Sequence, residues 1–258
     1  MVYRCEAASA AGFVQQLACS YLSNGYHYYV VGEIPERKDP RAVDAAMLER
    51  YGPELSRFQR ARRKRAGHAN VQYLRFRRFF VLLATGPRGA HPFYDEHSPA
   101  QVRHIREQPI TFSGYSIGYH RGVDRKWHVS VRIHPDRSRT LRAFLLEQAV
   151  RRSEGELALA FAKLPFEPYA PVRRQFLAML RAVNEVRSRV GLERLDVAVL
   201  RLRRRIVRPF VEEGPGVTTE RREDGTTTRT MGTRSALLRE EWRAAADRWG
   251  VPLLPSPA

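Results

Sequence analysis

Two runs of alternating apolar and polar residues, 110–120 and 126–134, flank the polar segment Arg121-Gly122-Val123-Asp124-Arg125. Strand side chains point alternately to opposite faces, so each run can bury one face and wet the other, and the turn joins them as an antiparallel hairpin. Pro135 ends the second run because it has no N–H to give to a ladder. A hairpin alone is marginal in water, so this chain must extend it into a sheet and cover the apolar face.

The remaining pattern supplies the cover. Phe13, Leu17 and Tyr21 fall four apart, which predicts a helix within 8–22 that stops at Asn24-Gly25. The aromatic and β-branched run 26–32 predicts a strand. Asp39-Pro40 signals a helix start, and Val43, Met47 and Tyr51 carry it to Gly52-Pro53. A second helix from Pro53 to Arg65 is solvent-facing apart from Leu55, Phe58 and Ala61. Residues 70–85 read as two strands joined at Arg77-Arg78, and 86–108 as a loop followed by a short helical turn. Helical spacing over 138–164 is interrupted near Glu154-Gly155. Val172, Phe176, Met179, Leu180, Val183 and Val186 then stripe a helix over 171–190, with Gly191 as its cap. Residues 197–206 read as a last strand.

This order predicts an α+β fold: one mainly antiparallel sheet with helices packed on one face and the other face open to a ligand. Residues 1–211 form the folded domain in this reading. Residues 212–234 have almost no apolar content and are expected to be a mobile linker. Residues 235–258 carry a short amphipathic helix with Leu238, Trp242, Ala245 and Trp249 on one side, a surface for a protein partner around Trp242 and Trp249.

Charge restricts the partner. Lys and Arg total 45 against 27 Asp and Glu, a net charge of +18, and all but Lys38, Lys64, Lys126 and Lys163 of the basic residues are arginine. A domain this basic repels itself and is relieved by a polyanion, and the guanidinium fork pairs phosphate bidentately and stacks on bases. One cluster, Arg57, Arg60, Arg62, Arg63, Lys64, Arg65, Arg75, Arg77 and Arg78, spans a stretch without a carboxylate. A second comprises Arg201, Arg203, Arg204, Arg205 and Arg208. Tyr73 interleaves with the first, a pattern that lets single-strand binders stack bases between phosphate contacts.

Other classes are disfavoured. The longest strongly apolar run, 79–84, is far below the roughly 20 residues of a membrane-spanning helix, so no membrane partner is expected. Polar residues interrupt the uncharged N-terminal stretch, which argues against a signal peptide, and Cys5 and Cys19 are expected as reduced thiols in the cytoplasm. The chain has no Walker-type or Gly-x-Gly-x-x-Gly loop, no His-Glu-x-x-His and no Gly-x-Ser-x-Gly. His91, His97 and His104 surround Asp95 and Glu96, but their spacing matches no standard metal site.

His120 and His128 lie on opposite arms of the hairpin, near its turn. In layout this resembles the HUH-type nucleases, whose two sheet histidines hold a divalent metal against a scissile phosphate attacked by a helix tyrosine. The resemblance implies Tyr169 as nucleophile, with Tyr115 and Tyr119 also in range, and Mg²⁺ or Mn²⁺ as cofactor. The chain departs from that family in lacking a His-hydrophobic-His triplet, since His128 and His134 are six residues apart.

The leading expectation is therefore a cofactor-free protein that grips the phosphates of single-stranded or structured RNA or DNA, within a mobile element or ribonucleoprotein. The alternatives are a metal-dependent, tyrosine-using DNA strand nuclease, transposase or replication initiator of HUH-like type, and a structural assembly protein.

Overall fold

The computed structural model describes residues 3–86 and 91–210, together with the backbone of 216–221 and 227–232. The chain divides into two units, Met1–Phe210 and Val211–Ala258.

The first unit has the α+β class expected, but it builds two antiparallel sheets rather than one. Helix α1 (Ala10–Gln15) starts at Ser9, whose Oγ accepts the Gly12 N–H at 3.0 Å. It runs on through a π-helical turn, Gln16–Tyr21, to Gly25 at φ 93°. Strand β1 (Tyr28–Glu33) leads to α2 (Pro40–Tyr51), capped by Asp39 and closed by Gly52 at φ 52°. Next come α3 (Arg57–Arg65), β2 (Val71–Phe76), β3 (Phe79–Ala84), α4 (Pro92–Glu96) and the short β4 (Arg103–His104). The strands of this first sheet lie in the order β2-β3-β1-β4, each neighbour antiparallel.

The second sheet contains β5 (Ile110–Phe112), β6 (Tyr115–Arg121) and β7 (Trp127–Ile133) in sequence order. The run 110–120 is thus two strands. Ser113 and Gly114 take φ of 47° and 77°, the two left-handed residues that a tight hairpin turn matched to strand twist requires. Beyond it lie α5 (Pro135–Gln148), α6 (Glu154–Ala162) and α7 (Ala170–Arg189). The Gln175 side chain of α7 exchanges two hydrogen bonds with the Ile133 backbone, satisfying the outer edge of β7.

Helices cover both faces of the first sheet, contrary to the one-sided expectation. On one face Leu74, Val81, Leu83 and Tyr29 join α1 and the core side of the second sheet, where Phe13 packs against Phe79 and Phe112. The other face buries Val71, Tyr73, Leu82 and Ala84 with Tyr51 of α2 and Phe93 of α4. The stripe on α7 buries Val172, Phe176, Met179, Leu180 and Val183, each removal from water stabilising by about 1.5–3 kcal/mol before entropy. The open face belongs to the second sheet: Thr111, His120, His128 and Arg132 are exposed there.

Residues 197–206 do not form the predicted strand. A 3₁₀ turn, Val197–Val199, passes into extended coil held by side chains and helix termini rather than by a ladder. Gln15 bonds the Val207 backbone at 2.6 and 3.2 Å, and the Ala8 N–H bonds Pro209 O at 2.8 Å.

In the second unit, β8 (Gly216–Arg221) and β9 (Thr227–Gly232) pair as an antiparallel hairpin in the stretch read as a linker. The helix expected within 235–258, with Trp242 and Trp249, lies outside the described residues.

Candidate nucleic-acid interface

Helix α3 has no buried residue, so hydrophobic burial does not hold it in place. Local bonds do. Ser56 Oγ accepts the Gln59 N–H, while Gln59 Oε1 accepts the Ser56 N–H at 2.8 Å, a reciprocal capping box. At the far end Arg62, Arg63, Lys64 and Arg65 fill the last turn, where positive charge complements the helix dipole.

The cations of α3 divide by role. Arg60 turns back to Leu55 O, and Arg63 to Ala69 O at 3.1 Å, while the Asn70 amide donates to Arg60 O at 3.1 Å. These bonds dock the helix against the start of β2. Arg57, Arg62, Lys64 and Arg65 are exposed, and their side chains have no partner among the described residues. Phe58, 85% exposed, is one helical turn before Arg62, so an aromatic ring and guanidinium share one outward face.

Elsewhere several arginines meet carboxylates. Arg50 pairs with Glu96 at 2.6 Å, Arg151 with Glu147 at 2.9 Å, Arg152 with Glu156 at 3.1 Å and Arg189 with Glu185 at 2.5 Å. Helix α3 has no such partner, because its own sequence has no acid to offer four residues away.

Tyr73 and Arg75, expected at the interface, are instead in the interior, 0% and 2% exposed. Tyr73 donates to Asp44 Oδ1 at 2.9 Å, and Arg75 bonds both Asp44 oxygens and Glu6. Alternation sends both side chains to the face under α2, where Asp44 compensates the guanidinium. Arg77, at φ 55°, makes the hairpin turn and lies over Phe76, 5.4 Å from its centroid. Arg78 bonds the carbonyls of Pro35 and Glu36, at 2.6 and 3.0 Å, so it is a loop tether.

The second cluster is anchored on one acid. Glu167, almost buried, receives Arg201 at 3.0 Å and the Arg205 N–H at 3.3 Å. Arg204 covers the Tyr169 ring, 4.8 Å from its centroid. Arg203 and Arg208 are exposed, with no side-chain partner among the described residues.

The two hairpin histidines are register partners. His120 pairs with His128 across β6 and β7, and His128 Nε2 lies 2.9 Å from both oxygens of Asp124 in the turn. The bond from His128 holds the Asp124 carboxyl below its usual range, while partial burial and then Arg132 lower the His120 pKa. Tyr169 is not brought to them. It adjoins Glu167, whose N–H bonds Tyr115 Oη at 2.7 Å, and Tyr115 lies five residues before His120 and faces the core. At about 3.4 Å per residue, roughly 17 Å of strand and the thickness of the sheet intervene. Burial also raises the Tyr169 pKa, against the pull of Arg204. The HUH-like trio is therefore not assembled.

Among the described residues no three His, Cys, Asp or Glu side chains are placed to share a metal ion. His91 Nδ1 accepts the Phe93 N–H at 3.1 Å as the cap of α4, and His97 stacks on Phe93, which separates the loop histidines into structural roles.

Several interface candidates escaped the sequence reading. Trp127, 44% exposed at the hairpin tip, carries the Arg106 guanidinium 4.9 Å from its ring centroid. A polar cleft of about 590 Å³ is lined by Tyr28, Val102, Arg103, His104, Glu107 and Gln108. Arg106 and Trp127 lie 21 residues apart in sequence, so no local pattern joins them. Comparison with protein-family models, with curated proteins and with solved structures finds no match to this chain. Among the described residues no helix is long and apolar enough to cross a membrane.

Proposed function

We propose that this chain is a cytoplasmic nucleic-acid-binding protein that takes single-stranded or structured RNA or DNA by its phosphates. The observation that carries the reading is the contrast between α3 and the other helices. On those helices Arg50, Arg139 and Arg189 pair with carboxylates, whereas on α3 Arg57, Arg62, Lys64 and Arg65 stand exposed together, with no ion pair among the described residues. Such an unneutralised cationic surface favours a polyanion, because each phosphate it neutralises releases condensed counterions. Arg203 and Arg208 offer further phosphate contacts, and Phe58 and Trp127 offer faces on which unpaired bases stack. Free Cys5 and Cys19 agree with a reducing compartment.

The test is a salt series with labelled single-stranded RNA, single-stranded DNA and duplex DNA. The expected result is a log-log slope between affinity and salt of several units, at roughly 0.7 per single-strand phosphate contact. Weak binding that does not respond to salt would overturn the proposal.

A further inference from the structure

We infer that His120 and His128 form a metal-independent RNA-cleaving site on the open face of the second sheet, an assignment that rests on the nucleic-acid reading above.

The geometry comes from the register of one hairpin. Gly122 N–H bonds Lys126 O at 2.8 Å, so the 122–126 couple is a hydrogen-bonded pair, and so is His120 with His128 two residues along. In such a pair the α-carbons are about 5.5 Å apart and the side chains rise side by side from one face. Both imidazoles are exposed there. Next to them Arg132 donates to Ser130 Oγ at 3.1 Å and lies close enough to His120 to disfavour a second positive charge. Asp124 reaches back from the turn to hold His128 Nε2, which leaves Nδ1 as that ring's outward nitrogen. Arg121, Arg125 and Lys126 supply further positive charge around the tip, and Asp124 is the carboxylate that faces the pair.

Two unequal imidazoles on register-paired positions of one open face, one held by a carboxylate and the other not, suit the transphosphorylation of RNA, which draws them together around the bound phosphate. His120 takes the proton of a ribose 2′-hydroxyl, and that oxygen forms a bond to the adjacent phosphorus. The bond from phosphorus to the 5′-oxygen breaks, and His128 gives its Nδ1 proton to the leaving oxygen. The products are a 2′,3′-cyclic phosphate and a 5′-hydroxyl. His120 ends protonated and His128 neutral, and exchange with water restores both. Arg132 is placed to offset the charge that develops on the phosphorane oxygens. Because the nucleophile belongs to the substrate, the scheme needs neither Tyr169 nor a metal, and DNA is inert to it.

The test incubates the full-length protein with a labelled single-stranded RNA in excess chelator, beside the same sequence with 2′-O-methyl riboses. Binding is followed by gel shift, and products are resolved on a denaturing gel and checked for cyclic phosphate ends. The expected result is cleavage of the RNA only, with His120→Ala and His128→Ala each slowing it by roughly 100-fold or more. RNA that is bound but stays intact overturns the inference and leaves the binding reading standing. Cleavage that needs Mg²⁺, that attacks the 2′-O-methyl strand, or that survives in the double variant also overturns it. Failure to bind RNA or DNA at all removes the binding reading and this one with it.

Discussion

Arg75 and Asp44 close a two-bond pair inside the first unit, Nε to Oδ1 at 2.8 Å and Nη2 to Oδ2 at 2.7 Å. Tyr73 donates to the same carboxylate, and Arg75 also holds Glu6, so the pair ties α2 and the N-terminal segment to β2. Asp44→Ala would leave a guanidinium in the core without its charge partner. A loss of about 3–5 kcal/mol is expected, the range for breaking a buried ion pair from one side, and denaturant unfolding measures it. A loss below 1 kcal/mol would show that Glu6 and water compensate Arg75.

The free cations of α3 make the opposite prediction. Substituting Arg57, Arg62, Lys64 and Arg65 together by Ala should leave stability within about 1 kcal/mol, because none is buried or paired. It should lower the single-strand salt slope by up to about 3. An unchanged slope would move the phosphate contacts elsewhere on the surface.

The capping box gives α3 a local dependence that no other contact replaces. Ser56→Ala removes the acceptor for the Gln59 N–H and should destabilise the helix by about 0.5–2 kcal/mol. Since no apolar face docks α3, the effect should appear as faster amide exchange over 57–65 without a comparable fall in global stability.

Glu167 is one of the anchors of the coil that follows α7. Glu167→Gln removes the charge that holds Arg201 and weakens acceptance from the Arg205 N–H. Exchange of the amides across 201–206 should rise by about tenfold or more, roughly the 1.5–3 kcal/mol of a charged hydrogen bond. Unchanged protection would assign the coil's order to Gln15 and Val207 instead.

The histidines set an acid limit. His27, His91, His97, His104 and His120 all have lowered pKa values, in each case chiefly by desolvation. The unfolded chain then binds protons first, so their contribution is complete above the ordinary histidine value near 6.5 and is lost as pH falls towards the folded values. Thermal melts should therefore shift downward as pH falls below about 6.5, before most carboxylates titrate. His91 is the sharpest case, because protonating Nδ1 abolishes the cap on Phe93 N–H. His91→Asn, with an acceptor that does not titrate, should flatten part of that fall.

Much of the local structure was legible in the sequence. Asp39-Pro40 starts α2 and Gly52 closes it, Arg77-Arg78 turns β2 into β3, and the apolar stripe on α7 faces the core. These features depend on neighbours within a few residues, so period and turn chemistry suffice to read them. The exposed cations of α3 were legible for the same reason, since a stretch without acids cannot neutralise itself locally.

What the tertiary structure decided is which arginines and aromatics are spent inside the molecule. Arg75 reads like Arg62 in sequence, yet Asp44, distant along the chain, makes it a core residue. The alternation over 197–206 resembles a strand, yet no strand among the described residues pairs with it, and Gln15 and Glu167 hold it as coil. The separation of Tyr169 from the histidine pair likewise follows from which face of β6 each approaches. The sequence by itself determined element types and the cationic character of α3, because those are set by local bonding and composition. Burial and the pairing of Arg75 with Asp44 were decided only when the sheets closed, because compensation of charge acts through space and not along the chain.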